Sequence, residues 1–439
     1  MKFSRRHFLG TAATAVWTAG TMTRGRVWGA NDRIGVCVVG FHGQGNDHIR
    51  NCLTQKGVEI VALCDVDAQV LAKGVEEIAQ KQGKKPKAYK DVREVMADKD
   101  IQVITTATPN HWHSLVTVWG CQAGKDVYVE KPMAQSPFEG RQCVAAAKKY
   151  NRIVQHGTQS RSNPVLIRDM RLIHEGFIGK VLHSRGYVYK TDNRKAIGHG
   201  APGPVPDYLD WELWQGPAKS REFLINKDRA DKPGLFVHYD WHWFWEYGNG
   251  EIGNQGVHEM DIASWAMKGK VPVKASSTGG RYAWDDDGET PNTQATQFTY
   301  EDGSMMTFEV RNLGSFWEGG QQAEACSNSV FCENGYYIRN VGFFDYKNQP
   351  IEVKDSLPEN LKKFDRFFNA VRSRKQEDAP MSVEDAHISC LHCQIGNIAY
   401  RLKQTVNFDP KTEKFLDSPE ANALLKREYR QGFEVPEIA

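Results

Sequence analysis

The sequence lacks an excess of charge of either sign. Among its 439 residues, 56 lysines and arginines face 54 aspartates and glutamates, which gives a formal net charge of +2. Proteins that bind nucleic acids usually carry a basic excess that neutralises phosphates. The composition therefore predicts no nucleic-acid partner.

A disulfide framework and a long apolar run are also missing. The nine cysteines are odd in number and scattered, unlike the paired cysteines of small secreted domains. Residues 390–393 (Cys-Leu-His-Cys) have metal-like spacing, but no second pair follows in register and the segment has a helical pattern. This favours buried thiols and predicts no metal site. After residue 30, no stretch is apolar enough to cross a bilayer.

The first thirty residues resemble a twin-arginine export signal. Residues 4–9 are Ser-Arg-Arg-His-Phe-Leu, and a weakly apolar stretch rich in Ala, Thr and Gly follows. This order predicts export in the folded state to the periplasm, with the twin-arginine export machinery as a partner. Residues 27–29 make a poor cleavage site, so an uncleaved leader that acts as an anchor stays open. The alternative is an ordinary disordered basic N-terminus.

Residues 31–157 alternate short apolar strands with helical segments. Strands are predicted at 34–40, 59–64, 103–107, 126–129 and 153–155, and helical periodicity is evident at 115–123 and 138–150. Strand–helix alternation of this kind builds a parallel, doubly wound sheet. We therefore predict an N-terminal α/β domain of the Rossmann type over 31–157.

The pattern changes over residues 158–439. Helices are predicted at 168–175, 254–267, 359–374 and 383–403, and strands at 181–189, 273–282, 293–300, 304–310 and 330–332. Residues 301–303 (Glu-Asp-Gly) form a predicted hairpin turn. This indicates an α+β domain built on an open antiparallel sheet. Because one face of such a sheet needs a cover, the sequence also predicts a homo-oligomer.

A glycine-rich turn follows the first predicted strand. The usual dinucleotide fingerprint is G-x-G-x-x-G, in which glycines let the backbone approach a pyrophosphate at a helix N-terminus. Here the middle glycine is displaced by one position. Asp65 lies about 20 residues beyond the turn, where a carboxylate suits a ribose 2′-hydroxyl and repels a 2′-phosphate. NAD is therefore predicted in preference to NADP, although a solvated loop Asp65 is the alternative. The predicted cofactor-binding residues of this region are Gly40, Phe41, His42, Gly43, Gln44, Gly45 and Asp65.

Three further motifs resemble a known family. Residues 107–113 (Ala-Thr-Pro-Asn-His-Trp-His) and 130–132 (Glu-Lys-Pro) both follow predicted parallel strands. Residues 253–261 (Gly-Asn-Gln-Gly-Val-His-Glu-Met-Asp) are similar to a pattern that usually reads Asp-x-Gly-x-His-x-x-Asp, with Asn254 in place of its first Asp. Together these motifs resemble the Gfo/Idh/MocA oxidoreductase family. Residues 208–217 (Tyr-Leu-Asp-Trp-Glu-Leu-Trp-Gln-Gly-Pro) and 396–401 (Gly-Asn-Ile-Ala-Tyr-Arg) resemble its exported, twin-arginine-leader subgroup. The resemblance extends over most of the chain from residue 33.

The resemblance implies roles for individual residues. It makes Lys131 and His258 catalytic, whereas a surface lysine and a core or capping histidine are the alternatives. Asn254 stands where many relatives carry Asp, and an amide cannot accept a proton. Acid–base work then falls to Lys131 and His258, or to a partner such as His238, His242 or Tyr247. The further implied cofactor contacts are Thr108, Asn110, His113, Glu130 and Lys131, and the implied substrate contacts are Asn254, Gln159, Arg161, Trp243 and Tyr247.

Tryptophans cluster in a long insertion between Lys131 and His258. Trp241, Trp243 and Trp245 are suited to stacking on the C–H faces of a sugar, but an aromatic core or an oligomer contact is an equal alternative. The histidines of this stretch do not complete a metal site. Residues 190–247 are long enough to act as a lid over the cofactor.

The resemblance implies an NAD-dependent oxidoreductase that acts on a carbinol of a sugar or sugar derivative. An exported enzyme cannot replenish NAD, so we expect the nucleotide to be tightly bound. A first alternative is an NAD-dependent glycosidase, which oxidises the sugar, eliminates the aglycone, adds water and reduces the product again. A second alternative is a non-catalytic sugar-binding protein that contains NAD.

Overall fold

The computed structural model describes residues 33–439, apart from residues 191–193, 314–316, 319–320 and 323. The predicted leader at 1–30 lies outside the described residues. Within the described part of the chain, no helix is both long and apolar enough to span a membrane.

The N-terminal domain is built on a parallel sheet with helices on both faces. Its strands are β1 (Ile34–Val39), β2 (Val58–Cys64), β3 (Lys87–Tyr89), β4 (Val103–Thr106), β5 (Asp126–Val129) and β6 (Val154–His156). Its helices are α1 (Gly45–Thr54), α2 (Ala68–Gln82), α3 (Val92–Ala97), α4 (Asn110–Gln122) and α5 (Pro137–Lys149). The strand order is β3-β2-β1-β4-β5-β6. The order reverses between β1 and β4, and ligands of such sheets bind in the crevice at that point.

The second domain carries a larger, mostly antiparallel sheet. Its strands are β7 (Val181–Val188), β10 (Lys274–Gly280), β11 (Thr293–Thr299), β12 (Met305–Arg311), β15 (Cys326–Cys332), β16 (Gly335–Ile338), β17 (Gly342–Phe344), β18 (Pro350–Ile351), β19 (Val406–Asp409) and β20 (Lys414–Leu416). Its helices are α6 (Pro164–Glu175), α8 (Gly250–Asn254), α9 (Gly256–Ala266), α10 (Lys363–Ser373), α11 (Val383–Leu402) and α12 (Pro419–Ala423). The smaller strands β13 (Trp317–Glu318) and β14 (Gln321–Gln322) pair with each other.

The described residues pack on one face of this sheet and leave the other open. Helices α9 and α11 contact β7 and β10 on the packed face. Along β11 the residues alternate between buried and exposed, as expected when only one face is covered. The predicted fold class is confirmed, with one difference: the sheet is mixed, because β7 pairs in parallel with β12.

The insertion between β7 and α8 forms an aromatic cluster of its own. It includes β8 (Gly200–Pro202), α7 (Trp211–Gln215), β9 (Leu224–Asn226) and a 3₁₀ turn at Asp240–Trp243. Trp211, Trp214, Phe236 and Tyr247 are buried against one another. Rings of this size bury enough apolar surface to order a segment that has little regular structure.

The chain returns from the second domain to the first. Helix α10 packs Phe364, Phe367 and Phe368 against the apolar residues of β1 and β5. The ring centroids of Phe364 and Tyr128 lie 4.5 Å apart. This helix, together with the insertion, joins the two domains around the crevice.

Candidate active site

A cavity of about 650 Å³ opens at the carboxyl ends of the parallel strands. One wall is formed by the turns that follow β1, β2, β4 and β5, and the second domain supplies the opposite wall. The predicted residues that line the cavity are Gly40, Phe41, His42, Gly43, Gln44, Asp65, Thr108, Asn110, His113, Glu130, Lys131, Gln159, Asn254 and His258.

The glycine-rich turn brings the backbone close to the crevice. Gly40 has φ +71°, and a Cβ atom there would lie 2.9 Å from the backbone of Thr108. A Cβ atom on Gly45 would lie 2.1 Å from the carbonyl oxygen of Gly40, so the turn tolerates no side chain at either position. A Cβ atom on Gly43 would meet nothing within 4 Å, which leaves room for a bound group above the N-terminus of α1.

Asp65 supports this turn and also faces the cavity. Its Oδ2 accepts a hydrogen bond from the backbone N–H of Phe41 at 3.0 Å, and its Oδ1 accepts one from Asp67 N–H at 3.0 Å. Burial raises the pKa of Asp65, and these two donors oppose the rise. Each carboxylate oxygen keeps a second lone pair for a ribose hydroxyl.

Asn110 is the clearest sign that the cavity holds a polar ligand. Its side chain is buried and lines the cavity, yet neither Oδ1 nor Nδ2 has a hydrogen-bond partner. Buried amides normally have hydrogen-bond partners, so these atoms point to a bound group with both donors and acceptors.

His113 also lines the cavity, with Nε2 2.7 Å from Thr108 O and Nδ1 2.7 Å from Pro132 O. It links the turns that follow β4 and β5.

Glu130 forms a buried ion-pair network beneath Lys131. Burial alone would raise the pKa of Glu130, but a 3.1 Å hydrogen bond to His48 Nε2 and the charge of Lys363 hold it well below its usual range. The carboxylate fits because residue 157 is glycine: a Cβ atom there would lie 2.7 Å from Glu130 Oε2. The ionised carboxylate places a fixed negative charge next to Lys131.

Lys131 reaches across the crevice to the second domain. Its Nζ donates to Asn254 O at 2.9 Å and to Asn254 Oδ1 at 3.0 Å. Burial lowers the pKa of Lys131, and the carboxylates of Glu130 and Glu251 oppose the change. A lysine whose pKa is lowered in this way releases its proton more readily than a solvated one, so it is suited to act as a base.

Two neutral histidines line the same cavity. Burial, followed by the charge of Lys131, lowers the pKa of His258 and of His242 well below the usual value. His258 Nδ1 is buried without a hydrogen-bond partner among the described residues, so none of them fixes the tautomer of this ring through Nδ1. His242 Nδ1 lies 2.7 Å from Tyr239 O. In the neutral ring of His242, Nδ1 therefore donates to this carbonyl and Nε2 can only accept, whereas the neutral ring of His258 can either donate or accept.

The helix around His258 differs from the prediction. The sequence predicts one helix over 254–267, but Asn254 ends α8 and a new helix begins at Gly256. At the end of α8, Asn254 Oδ1 accepts the hydrogen bond from Lys131 Nζ. Asp261 instead accepts hydrogen bonds from Arg161 behind the cavity, at 2.9 Å to Nη2.

Three predicted substrate residues are not among those that line the cavity. Arg161 is buried in its ion pair with Asp261 and lies over the ring of Trp265 at 4.3 Å. Trp243 and Tyr247 belong to the aromatic cluster of the insertion, because their rings pack on its other apolar side chains. Of the proposed tryptophan platform, only Trp241 borders the cavity.

The cavity also contains residues that motif reasoning missed. Tyr239 Oη accepts hydrogen bonds from Asn254 Nδ2 at 3.3 Å and from Arg194 Nη1 at 3.0 Å. Arg194 in turn pairs with Glu251, with Nε 2.7 Å from Oε2. The nearest sequence signal was the run of His, Tyr and Trp at 238–247, which does not show which of its residues face inward.

The insertion is attached to the nucleotide-binding domain beside the glycine-rich turn. Ala68 N–H donates to Tyr208 O at 2.8 Å, and Asp210 N–H donates to Val66 O at 3.0 Å. The rings of His42 and His238 stack with centroids 4.1 Å apart. These contacts close the insertion over the part of the cavity that Asp65 borders.

The two domains each match a family model. Residues 34–158 match the oxidoreductase family with an NAD-binding Rossmann fold, and residues 170–435 match the C-terminal alpha/beta domain of the same family.

The chain belongs to the Gfo/Idh/MocA oxidoreductase family.

The family resemblance of the sequence motifs is thereby confirmed, as is an NAD-binding Rossmann domain. Among the described residues, no group of three or more His, Cys, Asp or Glu side chains is placed to hold a metal ion.

Curated relatives of this chain carry two kinds of activity. The chain is 28% identical over 218 residues to a glycosyl hydrolase family 109 protein of Shewanella pealeana, and the match covers 43% of this chain and 47% of the relative. It is 32% identical over 158 residues to an inositol 2-dehydrogenase of Salmonella paratyphi B, covering 35% of this chain and 46% of the relative. The matches thus span about half the length of these relatives.

A solved structure shows the same fold over most of the chain. The WlbA dehydrogenase from Chromobactrium violaceum, in complex with NADH and UDP-GlcNAcA, superposes with a TM-score of 0.64 at 17% identity. The match covers 87% of this chain and 97% of that protein. At this identity the likeness supports the fold.

Proposed function

We propose that this protein oxidises a secondary alcohol of a sugar or sugar derivative with NAD as the cofactor. The observation that carries the proposal is Lys131, whose Nζ is held by Asn254 at the junction of the two domains. Its lowered pKa and the neutral His258 in the same cavity provide the acid–base groups that alcohol oxidation needs.

The residues present fit NAD. The turn at 40–45 and the N-terminus of α1 would hold the pyrophosphate, Asp65 would bind a ribose hydroxyl, and Asn110 would use its unpartnered amide on the ligand. NAD supplies the hydride acceptor when it is bound. The absence of a positively charged residue directly after Asp65 favours NAD over NADP.

The chain's own residues move the proton. Neutral Lys131 accepts the proton of the substrate hydroxyl, and the resulting ammonium donates to Asn254 O and Oδ1. The nearby charge of Glu130 stabilises that ammonium. His258 would orient the hydroxyl by a hydrogen bond, and Tyr239 and Gln159, which line the cavity, would bind the rest of the sugar.

A redox-neutral glycosidase is a second candidate. It is favoured by relatives such as the glycosyl hydrolase family 109 protein of Shewanella pealeana. A glycosidase of this kind would use the same Lys131 and His258 for successive proton transfers. The non-catalytic alternative leaves the depressed pKa of Lys131 without a role.

One experiment separates these candidates. The purified protein is denatured and the released nucleotide is identified by mass spectrometry, and then native protein is incubated with 4-nitrophenyl glycosides. A dehydrogenase forms a keto-sugar and retains the glycosidic bond, whereas a glycosidase releases 4-nitrophenol without net reduction of NAD. If the protein contains NAD but forms neither a keto-sugar nor 4-nitrophenol from any glycoside, both candidate functions are contradicted.

We also propose that the protein is exported with its cofactor inside. The support is the arginine pair Arg5-Arg6 with the apolar stretch that follows it. Replacing both residues by lysine should leave the protein in the cytoplasm, as measured by fractionation. Unchanged periplasmic recovery of the double variant would contradict twin-arginine export.

A further inference from the structure

The second domain lines the cavity with positive charge. It contributes Lys190, Arg194 and Lys363 to the lining, and none of the described lining residues from this domain is Asp or Glu. The lining carboxylates, which are Asp47, Asp65, Asp91 and Glu130, all come from the nucleotide-binding domain. The substrate therefore meets a wall that offers cations and no anion among the described residues.

Two of these three cations have anionic partners. Arg194 pairs with Glu251, with Nε 2.7 Å from Oε2. Lys363 Nζ lies 3.9 Å from Glu130 Oε1. Both charges are thus largely compensated by carboxylates that the same fold supplies.

Lys190 differs from the other two. Its Nζ donates to the amide oxygen Gln255 Oε1 at 3.0 Å, and no described carboxylate lies within ion-pairing distance of it. The side chain is half-buried, so it is incompletely solvated. An incompletely solvated cation is stabilised strongly when a ligand places an anionic group next to it.

Lys190 also lies close to the reacting groups. Gln255, its hydrogen-bond partner, directly follows Asn254, which holds Lys131. The charge of Lys190 is one of those that act on Lys131. An anionic substituent bound by Lys190 would therefore belong to the same sugar that is oxidised.

We propose that the substrate is a sugar acid whose carboxylate binds to Lys190. This inference rests on the proposed function and specifies its substrate class. Carboxylates strengthen the binding of a neutral sugar, because they accept hydrogen bonds from pairs of its hydroxyl groups. The described lining residues of the second domain include no carboxylate. A single ammonium that has no carboxylate partner among the described residues matches a monoanion such as a hexuronate better than a phosphate dianion.

Binding to the NAD-loaded protein tests this substrate class without turnover. Calorimetry would compare glucuronate and galacturonate with glucose, galactose and glucose 6-phosphate. We expect at least one hexuronate to bind about 10-fold or more tighter than its parent hexose, in line with a charged hydrogen bond. Equal or tighter binding of the hexoses, or tightest binding of glucose 6-phosphate, would overturn the assignment. Because no reaction is followed, this result is independent of the proposed oxidation.

Variants of Lys190 then test the residue. Lys190→Met should lower the ratio of hexuronate to hexose affinity by about 10- to 100-fold, whereas Lys190→Arg should retain most of it. Lys195→Met is the matched control, because Lys195 is exposed in the same insertion and does not line the cavity. An unchanged ratio in folded Lys190→Met, or an equal loss in Lys195→Met, would overturn the role of Lys190.

Discussion

Lys131 is the residue on which the proposed chemistry depends most. We expect Lys131→Ala and His258→Ala each to reduce kcat about 100-fold or more, because each removes a positioned acid–base or orienting group. Lys131→Arg should be similarly inactive, since a guanidinium keeps the charge but does not release its proton. Steady-state kinetics and circular dichroism check this. Near-normal activity in either alanine variant would contradict its assigned role.

Asn254 gives a second residue-level prediction, on pH. Neutral Lys131 is the active form, so activity falls as pH drops through its lowered pKa. Asn254→Asp places an anion beside Nζ, which favours the ammonium and raises that pKa. The acid limb of the kcat/KM profile should therefore move to higher pH, by about one to three units.

The control for this change is Asn151→Asp. Asn151 is exposed and does not line the cavity, so the same charge change there should leave the acid limb of the kcat/KM profile at its original pH. A limb that does not move in Asn254→Asp would mean that Lys131 is not the titrating base.

Asp65 should set the choice between NAD and NADP. Asp65→Asn keeps one acceptor oxygen for the backbone of the turn but removes the charge that repels a 2′-phosphate. We expect the ratio of the NADP to the NAD dissociation constant to fall about 10-fold or more. Fluorescence titration with both reduced nucleotides measures it, and an unchanged ratio would place Asp65 away from the ribose.

At the scale of elements, the insertion is expected to retain the cofactor. His238 stacks on His42 of the glycine-rich turn, and its Nε2 lies 3.3 Å from Asp67 Oδ2. Removing the ring in His238→Ala should speed the release of NADH about three- to ten-fold, which corresponds to the loss of one aromatic contact.

His199→Ala is the matched control for this variant. His199 belongs to the same insertion but pairs with Asp228 and does not line the cavity. Stopped-flow displacement of NADH would compare the two proteins. Equal release rates in His238→Ala and the native chain would show that the insertion does not retain the nucleotide.

At the scale of the whole molecule, the part of the chain that the structure describes leaves one face of the large sheet open. A shallow groove on this face is lined by polar and small side chains, including Arg185, Ser277, Ala295, Gln297 and Thr307. We expect a homo-oligomer that pairs through this face. Ala295→Lys, in the middle of β11, should therefore dissociate it.

Sedimentation velocity at micromolar concentration measures the assembly. Ala88→Lys is the control, because Ala88 is an exposed alanine on a strand of the other sheet. A native protein that sediments only as a monomer would contradict the proposal, as would an unchanged oligomer in Ala295→Lys.

Much of the nucleotide-binding domain was predictable from local sequence. Buried strands between two helical layers are continuous apolar runs, so the pattern locates β5 with its observed ends, and the other predicted strands to within one or two residues. Strand β3 was missed, because its three residues are exposed or half-buried and carry no such run. Edge strands of the second sheet were missed for a similar reason.

The sequence by itself determined which residues meet at the edge of the parallel sheet when a local motif contains them. Residues 40–44, Asp65 and Lys131 line the cavity because each lies just after a parallel strand, and all such strand ends meet at one edge of the sheet. Only the tertiary structure decided which distant side chains complete the site. Arg161 is drawn away by Asp261, while Tyr239, Arg194 and Lys190 are brought in. Their placement depends on packing between segments far apart in the chain, and no local pattern records such packing.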